Sequence, residues 1–176
     1  MITPLRITGV ICGLVFSISL NAQFATNDPY AKQIDAYVEG VGKTLFTDSV
    51  LIPGSNPQLA AMSPPGDIVG YYEGGQLKAI VSKFVQSGEG KFEVSYFFRN
   101  DSLIYIYMEY AESADYLGAG FYIVQYTKAH YFKNGVSIYW NNAGSGKAVP
   151  ESYTREPADL KRYADIYISE LKAQKK

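Results

Sequence analysis

The chain has 176 residues, of which 16 are basic and 17 acidic, and its formal net charge at pH 7 is −1. This balance excludes a strongly basic nucleic-acid binder and a polyanionic tail. Apolar residues make up 47% and charged residues 19%, so the length and composition predict one globular domain with a real core. Tyrosine is unusually frequent, with 16 residues beside 9 Phe and 1 Trp, and a tyrosine ring is apolar with a polar tip.

The first 22 residues have the three parts of a secretory signal peptide. The basic residue Arg6 precedes an apolar run over 7–20, and the small residue Ala22 follows that run. The run has 14 residues, fewer than the roughly 20 that a permanent transmembrane helix needs. We therefore expect cleavage after Ala22 and export to the periplasm or the extracellular space, with residues 23–176 forming a single α+β domain. An uncleaved membrane anchor is the alternative.

The single cysteine, Cys12, lies inside this apolar run. Acylation of Cys12, as in a lipoprotein, is an alternative, although the bulky Ile11 stands before it where a small residue is expected. Removal of the signal segment leaves a chain without cysteine. Disulfides, thiol catalysis and cysteine metal sites are then excluded, and stability must come from packing.

An amphipathic helix is predicted over about 29–43. Asp28 followed by Pro29 is typical of a helix start, and apolar residues recur at helical spacing. These residues are Tyr30, Ile34, Val38, Val41 and Leu45. Residues 53–66 contain four of the eight prolines and are predicted to form a loop.

From residue 67 to residue 142 the hydrophobic period changes to two, which predicts six β-strands. Short turn sequences separate the strands, so successive strands should pair antiparallel as a meander. The predicted strands span about 67–73, 76–85, 91–99, 103–112, 121–133 and 136–142.

Hairpin register predicts which residues share a face of the sheet. In the central hairpin, a three-residue loop over 100–102 gives a wholly apolar inner face. The predicted pairs on this face are Phe92 with Tyr110, Val94 with Met108, Tyr96 with Ile106 and Phe98 with Ile104. Tight turns at 74–75 and 134–135 add further inner residues, which are Ile68, Tyr72, Leu77, Ala79, Val81, Ala129, Tyr131, Ile138 and Trp140. The predicted outer face carries Glu93, Phe97, Tyr105, Tyr107, Glu109, His130, Phe132 and Tyr139.

A second amphipathic helix is predicted from about Glu156 to Lys172. Its apolar stripe needs a partner, and the inner face of the sheet is available; the stripe consists of Leu160, Tyr163, Ala164, Tyr167, Ile168 and Leu171. The predicted fold class is therefore α+β: a six-stranded antiparallel β-meander packed against an N-terminal and a C-terminal α-helix.

The residue inventory offers little catalytic machinery. His130 is the only histidine, and it lies in a predicted strand beside Lys128 and opposite Tyr139 rather than a carboxylate. We therefore expect no catalytic triad, no metal site and no cofactor. Carboxylates remain as candidates, since a glycosidase needs only two acids about 5–10 Å apart. The acids that could line a sugar cleft are Glu93, Glu109 and Glu112.

Aromatic residues on the predicted outer face favour a binding surface, because exposed aromatic patches usually mark a partner or ligand site. The candidate ligand-binding residues are Phe97, Tyr105, Tyr107, Phe132, Tyr139, Glu109 and His130. The alternative is that a helix or the loop 53–66 covers this face and converts the patch into a second core.

Three hairpins share a pattern of two aromatic residues and one charged residue before a turn dipeptide. The segments are Tyr71-Tyr72-Glu73-Gly74-Gly75, Phe97-Phe98-Arg99-Asn100-Asp101 and Tyr131-Phe132-Lys133-Asn134-Gly135. Together with the closing helix, two hairpin segments resemble those of small exported proteins of Gram-negative bacteria; the segments are GYYEGGQLKAI and HYFKNGVSIYW. The three hairpins are also similar to those of MORN-type and YwqK-type repeat proteins. The spacing of the three hairpins is irregular, and the resemblance implies no activity and no site residues.

These observations predict an exported, non-catalytic binding module of the periplasm or cell envelope that contacts a protein or glycan through the sheet face, as an inhibitor would. The alternatives are a hydrolase of cell-envelope polysaccharide and a structural envelope component. We expect no nucleic-acid partner and no stable membrane insertion after signal cleavage.

Overall fold

The computed structural model describes residues 28–46, 48–60, 66–86, 90–113, 122–144 and 156–175. Seven antiparallel strands form one sheet in sequential order. The helices are α1 (Pro29–Gly42), α2 (Pro57–Ala60) and α3 (Pro157–Gln174). The strands are β1 (Asp48–Ile52), β2 (Asp67–Glu73), β3 (Gln76–Gln86), β4 (Gly90–Arg99), β5 (Ser102–Ser113), β6 (Tyr122–Lys133) and β7 (Val136–Gly144).

The α+β class and both long helices are confirmed, and each of the six predicted strands ends within two residues of its predicted limit. Two further elements were not predicted: β1, and α2 inside the predicted loop 53–66. β1 has only five residues, too few to show a period, and it forms by pairing with β2. The predicted signal segment 1–22 lies outside the described residues. No helix within the described ranges is long and apolar enough to span a bilayer.

The three hairpins that share a sequence pattern also share a backbone geometry. Each has a two-residue turn in which both residues are left-handed, with φ between 51° and 79°. Just before each turn the register shifts between the two aromatic residues, at Tyr71/Tyr72, Phe97/Phe98 and Tyr131/Phe132. The returning strand therefore carries one extra residue, which is Lys78, Ile104 or Ile138, in a β-bulge.

These bulges explain where the predicted registers succeed and fail. In the central hairpin three predicted pairs are confirmed, those of Phe92, Val94 and Tyr96, because a two-residue turn plus a bulge has the same offset as a three-residue loop. In the first hairpin the bulge moves Ala79 and Val81 to the face opposite the predicted one.

In the last hairpin the prediction is wrong for β6, whose side chains lie on the faces opposite to those predicted, and Ala129 pairs with Asn141 rather than with Trp140. Ala129 and Tyr131 lie on the α1 face of the sheet, while Phe132 belongs to the α3 face and His130 pairs with Ile106 of that face. Pairing within a hairpin decides which residues share a face. The bulge at Tyr131/Phe132 shifts this pairing by one residue, so Tyr131 lies opposite Tyr139 rather than opposite the predicted Ile138.

The two long helices cover opposite faces of the sheet. Leu160, Ala164, Tyr167 and Leu171 of α3 pack on the predicted inner face, as expected. Ala31, Ile34, Val38 and Val41 of α1 pack on the predicted outer face and make a second core there. The aromatic members of that second core are Tyr71, Phe97, Tyr105, Tyr107 and Tyr131.

Helix α1 crosses the strands near the hairpin turns. The Tyr30 hydroxyl donates a hydrogen bond to the Phe132 carbonyl oxygen at 2.8 Å, and the Tyr37 hydroxyl donates to the Phe98 carbonyl oxygen at 2.6 Å. Seven residues of helix rise about 10.5 Å, and successive hairpins lie two strand spacings, about 9.6 Å, apart. The two tyrosines therefore meet equivalent positions of two neighbouring hairpins.

Candidate functional site

The predicted aromatic binding surface is buried under α1. Phe97 is 0% exposed and Tyr105 is 2% exposed, with ring centroids 5.8 Å apart. Tyr105 also packs against Tyr131, whose hydroxyl donates to Asp35 Oδ1 at 2.8 Å. The prediction that Phe97 and Tyr105 face solvent is wrong, and the alternative reading of a second core under a helix is confirmed.

Tyr107 belongs to the same core and is only 9% exposed, so its predicted exposure to solvent is also wrong. The remaining predicted site residues lie elsewhere. His130 and Phe132 are buried on the α3 side, with ring centroids 6.5 Å apart. Tyr139 pairs through its backbone with Tyr131, and its side chain is not among those that the structure describes. Strand alternation places Glu112 on the face opposite Glu109. The Tyr107 hydroxyl also donates to Glu109, which is partly exposed at the edge of that core.

His130 has the character of a neutral, structural side chain. Both ring nitrogens are buried and have no hydrogen-bond partner in the described part of the chain. Burial and then the charge of Lys128 lower the pKa of His130 to about 4. A histidine without a carboxylate partner is poorly suited to general base catalysis.

Polar side chains lie in a row across four strands on the α1 face, beyond the part that α1 covers. The register places Lys83 on β3 beside Glu93 on β4, Glu93 beside Glu109 on β5, and Glu109 beside Thr127 on β6. We call these four residues the polar row. Directly opposed residues of antiparallel strands have Cβ atoms about 4.5–5.5 Å apart, so neighbouring side chains of the row can touch one ligand.

The row is accessible, and its charges are unevenly compensated. The Lys83 Nζ atom lies 2.8 Å from Glu93 Oε2, and the two side chains are 43% and 24% exposed. Glu109 accepts a long hydrogen bond, 3.4 Å, from the Tyr107 hydroxyl. No lysine or arginine within the described ranges forms an ion pair with Glu109.

This environment raises the pKa of Glu109. Burial is the main cause, and the negative charge of the adjacent Glu93 adds to it. The pKa of Tyr107 is also raised, first by burial and then by Glu109. Thr127 hydrogen-bonds to Tyr107, so the hydroxyl, the threonine and the carboxylate form one local network. A carboxyl group with a raised pKa on an accessible face is a functional-site candidate.

An exposed aromatic ring lies at the same end of this face. Tyr122 is 42% exposed, and the Lys91 Nζ atom lies 5.7 Å from its ring centroid. Lys91 and Glu93 are two residues apart on β4 and therefore share the α1 face. The sequence analysis missed Lys83, Thr127 and Tyr122 as site residues. Pairing β3 with β4 in register would have placed Lys83 beside Glu93.

Exposed apolar side chains concentrate on β6 and β7. Trp140 is 56% exposed and Ile138 is 45% exposed, although the hairpin pattern predicted both to face inward. Among the side chains of these two strands that the structure describes, the large exposed apolar ones are Tyr122, Ile123, Val124, Val136, Ile138 and Trp140. Most of the exposed apolar side chains that the structure describes on the sheet thus lie on β6 and β7, with Leu51 on β1 as a further one, and not over the predicted aromatic patch.

No protein-family model matches the chain, and searches of curated proteins and of solved structures found no match. Across the described ranges, no group of three or more His, Cys, Asp or Glu residues is placed to hold a metal ion. The polar row and its neighbours Tyr107, Lys91 and Tyr122 therefore form the candidate site.

Proposed function

We propose that this protein is an exported, non-catalytic binding module and that the polar row with Tyr122 binds a glycan of the cell envelope. The observation that carries the proposal is Glu109, a half-buried carboxylate on an accessible face that lacks an ion-pair partner among the described residues. The signal-like segment 1–22 supports the exported location.

The chemistry of the row suits a hydroxyl-rich ligand. Ionised carboxylates accept hydrogen bonds only, and sugar hydroxyls and amides can donate them. Lys83 and Lys91 supply donors beside Glu93. The exposed Tyr122 ring offers an apolar surface for the C–H face of a sugar. A row across four strands is open along its length, which suits an extended polymer better than a small enclosed molecule.

The proposal is tested by co-sedimentation with purified peptidoglycan. Glu109→Gln keeps the side-chain shape but removes the charged acceptor, and we expect binding at least about tenfold weaker, which corresponds to about 1.4 kcal/mol. Glu39→Gln is the matched control, because Glu39 is exposed on α1 and pairs with Lys43 one turn away. Unchanged binding by Glu109→Gln would overturn the proposal.

A polysaccharide hydrolase is the second candidate function, and one observation favours it. Glu109 has a raised pKa and lies beside Glu93, which is ion-paired with Lys83. Two neighbouring carboxyl groups with different environments are what glycosidases use as acid and nucleophile or base. Release of reducing ends from peptidoglycan measures this activity. The binding proposal predicts none from the wild type, whereas release abolished by both Glu93→Gln and Glu109→Gln would establish the hydrolase.

A further inference from the structure

A cavity lies on the α3 side of the sheet, away from the polar row. It has a volume of about 260 Å³ and opens between the last turns of α3 and the ends of two hairpins. Leu77, Phe98 and Ile168 give it an apolar lining, with Tyr72 and Gly75 at one side. Three charged side chains, Asp101, Lys172 and Lys175, stand around it.

The first-hairpin turn that borders the cavity has no side chains. Gly74 and Gly75 both have positive φ, and a Cβ atom built on Gly75 would meet nothing within 4 Å. On the α1 side the central hairpin, which also borders the cavity, contacts Tyr37, whose hydroxyl donates to the Phe98 carbonyl oxygen. On the α3 side Ile168 and Leu77 are only partly buried against the core.

The charged side chains around the cavity differ in whether they already form an ion pair within the described part of the chain. Lys175 is engaged, because its Nζ atom lies 3.0 Å from Asp48 Oδ2 and 3.5 Å from the Tyr72 ring centroid. Lys172, three residues earlier on α3, forms no ion pair within the described part of the chain. Asp101, on the β4–β5 turn, likewise forms none there. One available cation and one available anion therefore flank an apolar lining.

We propose that this cavity binds a free apolar α-amino acid as its zwitterion. The carboxylate pairs with Lys172, the ammonium pairs with Asp101, and the side chain lies on Leu77, Phe98 and Ile168. The ligand has no net charge. The rim also has none, because Lys172 and Asp101 have opposite charges and Lys175 is paired with Asp48. The volume equals that of about eight or nine waters at roughly 30 Å³ each, which accommodates a branched aliphatic amino acid.

Two-dimensional ¹⁵N NMR of the protein during titration with L-leucine tests the proposal. We expect saturable shifts of the Leu77 and Ile168 amide signals. Two analogues separate the charges: 4-methylpentanoate lacks the ammonium, and isopentylamine lacks the carboxylate. Each should bind at least tenfold more weakly than leucine. Absence of saturable shifts with leucine, or equal binding of either analogue, would overturn the proposal.

A variant pair tests the role of the lysine. Lys172→Gln removes an exposed charge without touching the core, so the protein should fold and its affinity for leucine should fall at least tenfold. Lys32→Gln makes the same change on the exposed side of α1, across the sheet, and should leave affinity unchanged. Equal affinity of Lys172→Gln and wild type would overturn the assignment of the carboxylate to Lys172.

Discussion

The hydroxyl of Tyr37 donates a hydrogen bond to the carbonyl oxygen of Phe98 at 2.6 Å. Phe98 lies at the bulge of the central hairpin, where the regular ladder shifts register. The Arg99 guanidinium lies 4.4 Å from the centroid of the same tyrosine ring. Tyr30 repeats this arrangement on the last hairpin, with Phe132 as acceptor and Lys133 as the cation. Helix α1 thus holds two hairpins by the same contacts.

Tyr37→Phe should lower the free energy of unfolding by about 1–2 kcal/mol, because it leaves a partly buried carbonyl without its partner. Tyr30→Phe should have a similar effect, and the two losses should add because the sites are about 10 Å apart. Urea unfolding followed by circular dichroism measures both. Tyr122→Phe, which changes an exposed ring, is the control. A Tyr37→Phe protein as stable as the wild type would contradict this role of α1.

Two glycines should respond oppositely to alanine. A Cβ atom on Gly70 would lie 2.7 Å from Leu171 Cδ1, so Gly70→Ala should destabilise the packing of α3 by about 1–3 kcal/mol. A Cβ atom on Gly40, within α1, meets nothing within 4 Å, so Gly40→Ala should stabilise by about 0.5–1 kcal/mol. Thermal unfolding measures both changes. A Gly70→Ala protein at least as stable as the wild type would contradict this placement of α3, and a destabilised Gly40→Ala protein would contradict open space beside Gly40 in α1.

His130 should make stability depend on pH. Its pKa falls from 6.5 to about 4 on folding, so the unfolded chain binds the proton more readily. The stabilising contribution is complete above about pH 6.5 and is lost as the pH falls towards 4. His130→Leu should therefore gain stability relative to wild type between pH 7.5 and pH 4.5. Urea unfolding midpoints of the two proteins at each pH measure the difference in stability. The titration of the carboxyl groups is common to both proteins and cancels in this difference. A constant difference would show that His130 is not protonated on unfolding.

The raised pKa of Glu109 should depend on Glu93. Glu93→Gln removes the adjacent negative charge, so the pKa of Glu109 should fall, although burial will keep it above its ordinary value. Carboxyl ¹³C chemical shifts of Glu109 followed against pH measure this change. Glu39→Gln, whose charge is paired within α1, should leave the Glu109 titration unaltered. A Glu109 pKa that does not move in Glu93→Gln would mean that the two carboxylates do not interact.

The hydrophobic period was sufficient to predict the long elements but not the faces of the sheet. In the central hairpin, charges at Glu93 and Glu109 forced the correct offset, because the other offset mixes charges into the core. In the first and last hairpins the charged residues did not fix the offset, and the bulges at Tyr71/Tyr72 and Tyr131/Phe132 left no signal in the period. The shared aromatic pattern of the three hairpins was the available clue to a shared bulge.

The site was less predictable than the fold because accessibility depends on where α1 lies. The same strand alternation puts Phe97, Tyr105 and Glu109 on one face, yet α1 buries the first two and leaves the third accessible. Helix periodicity identifies the apolar stripe of α1 but not the strands on which it packs. The contacts of Tyr30 and Tyr37 with the hairpin ends decide that position.

The most direct test of the central claim is ¹⁵N NMR mapping of the wild-type protein with soluble peptidoglycan fragments. We predict that the amide signals that shift belong to Lys83, Glu93, Glu109 and Tyr122, and that those of Phe97 and Tyr105 under α1 do not. Shifts that are confined to residues outside the polar row and its neighbours, or the absence of any saturable shift, would contradict the assignment of this face as the glycan-binding site.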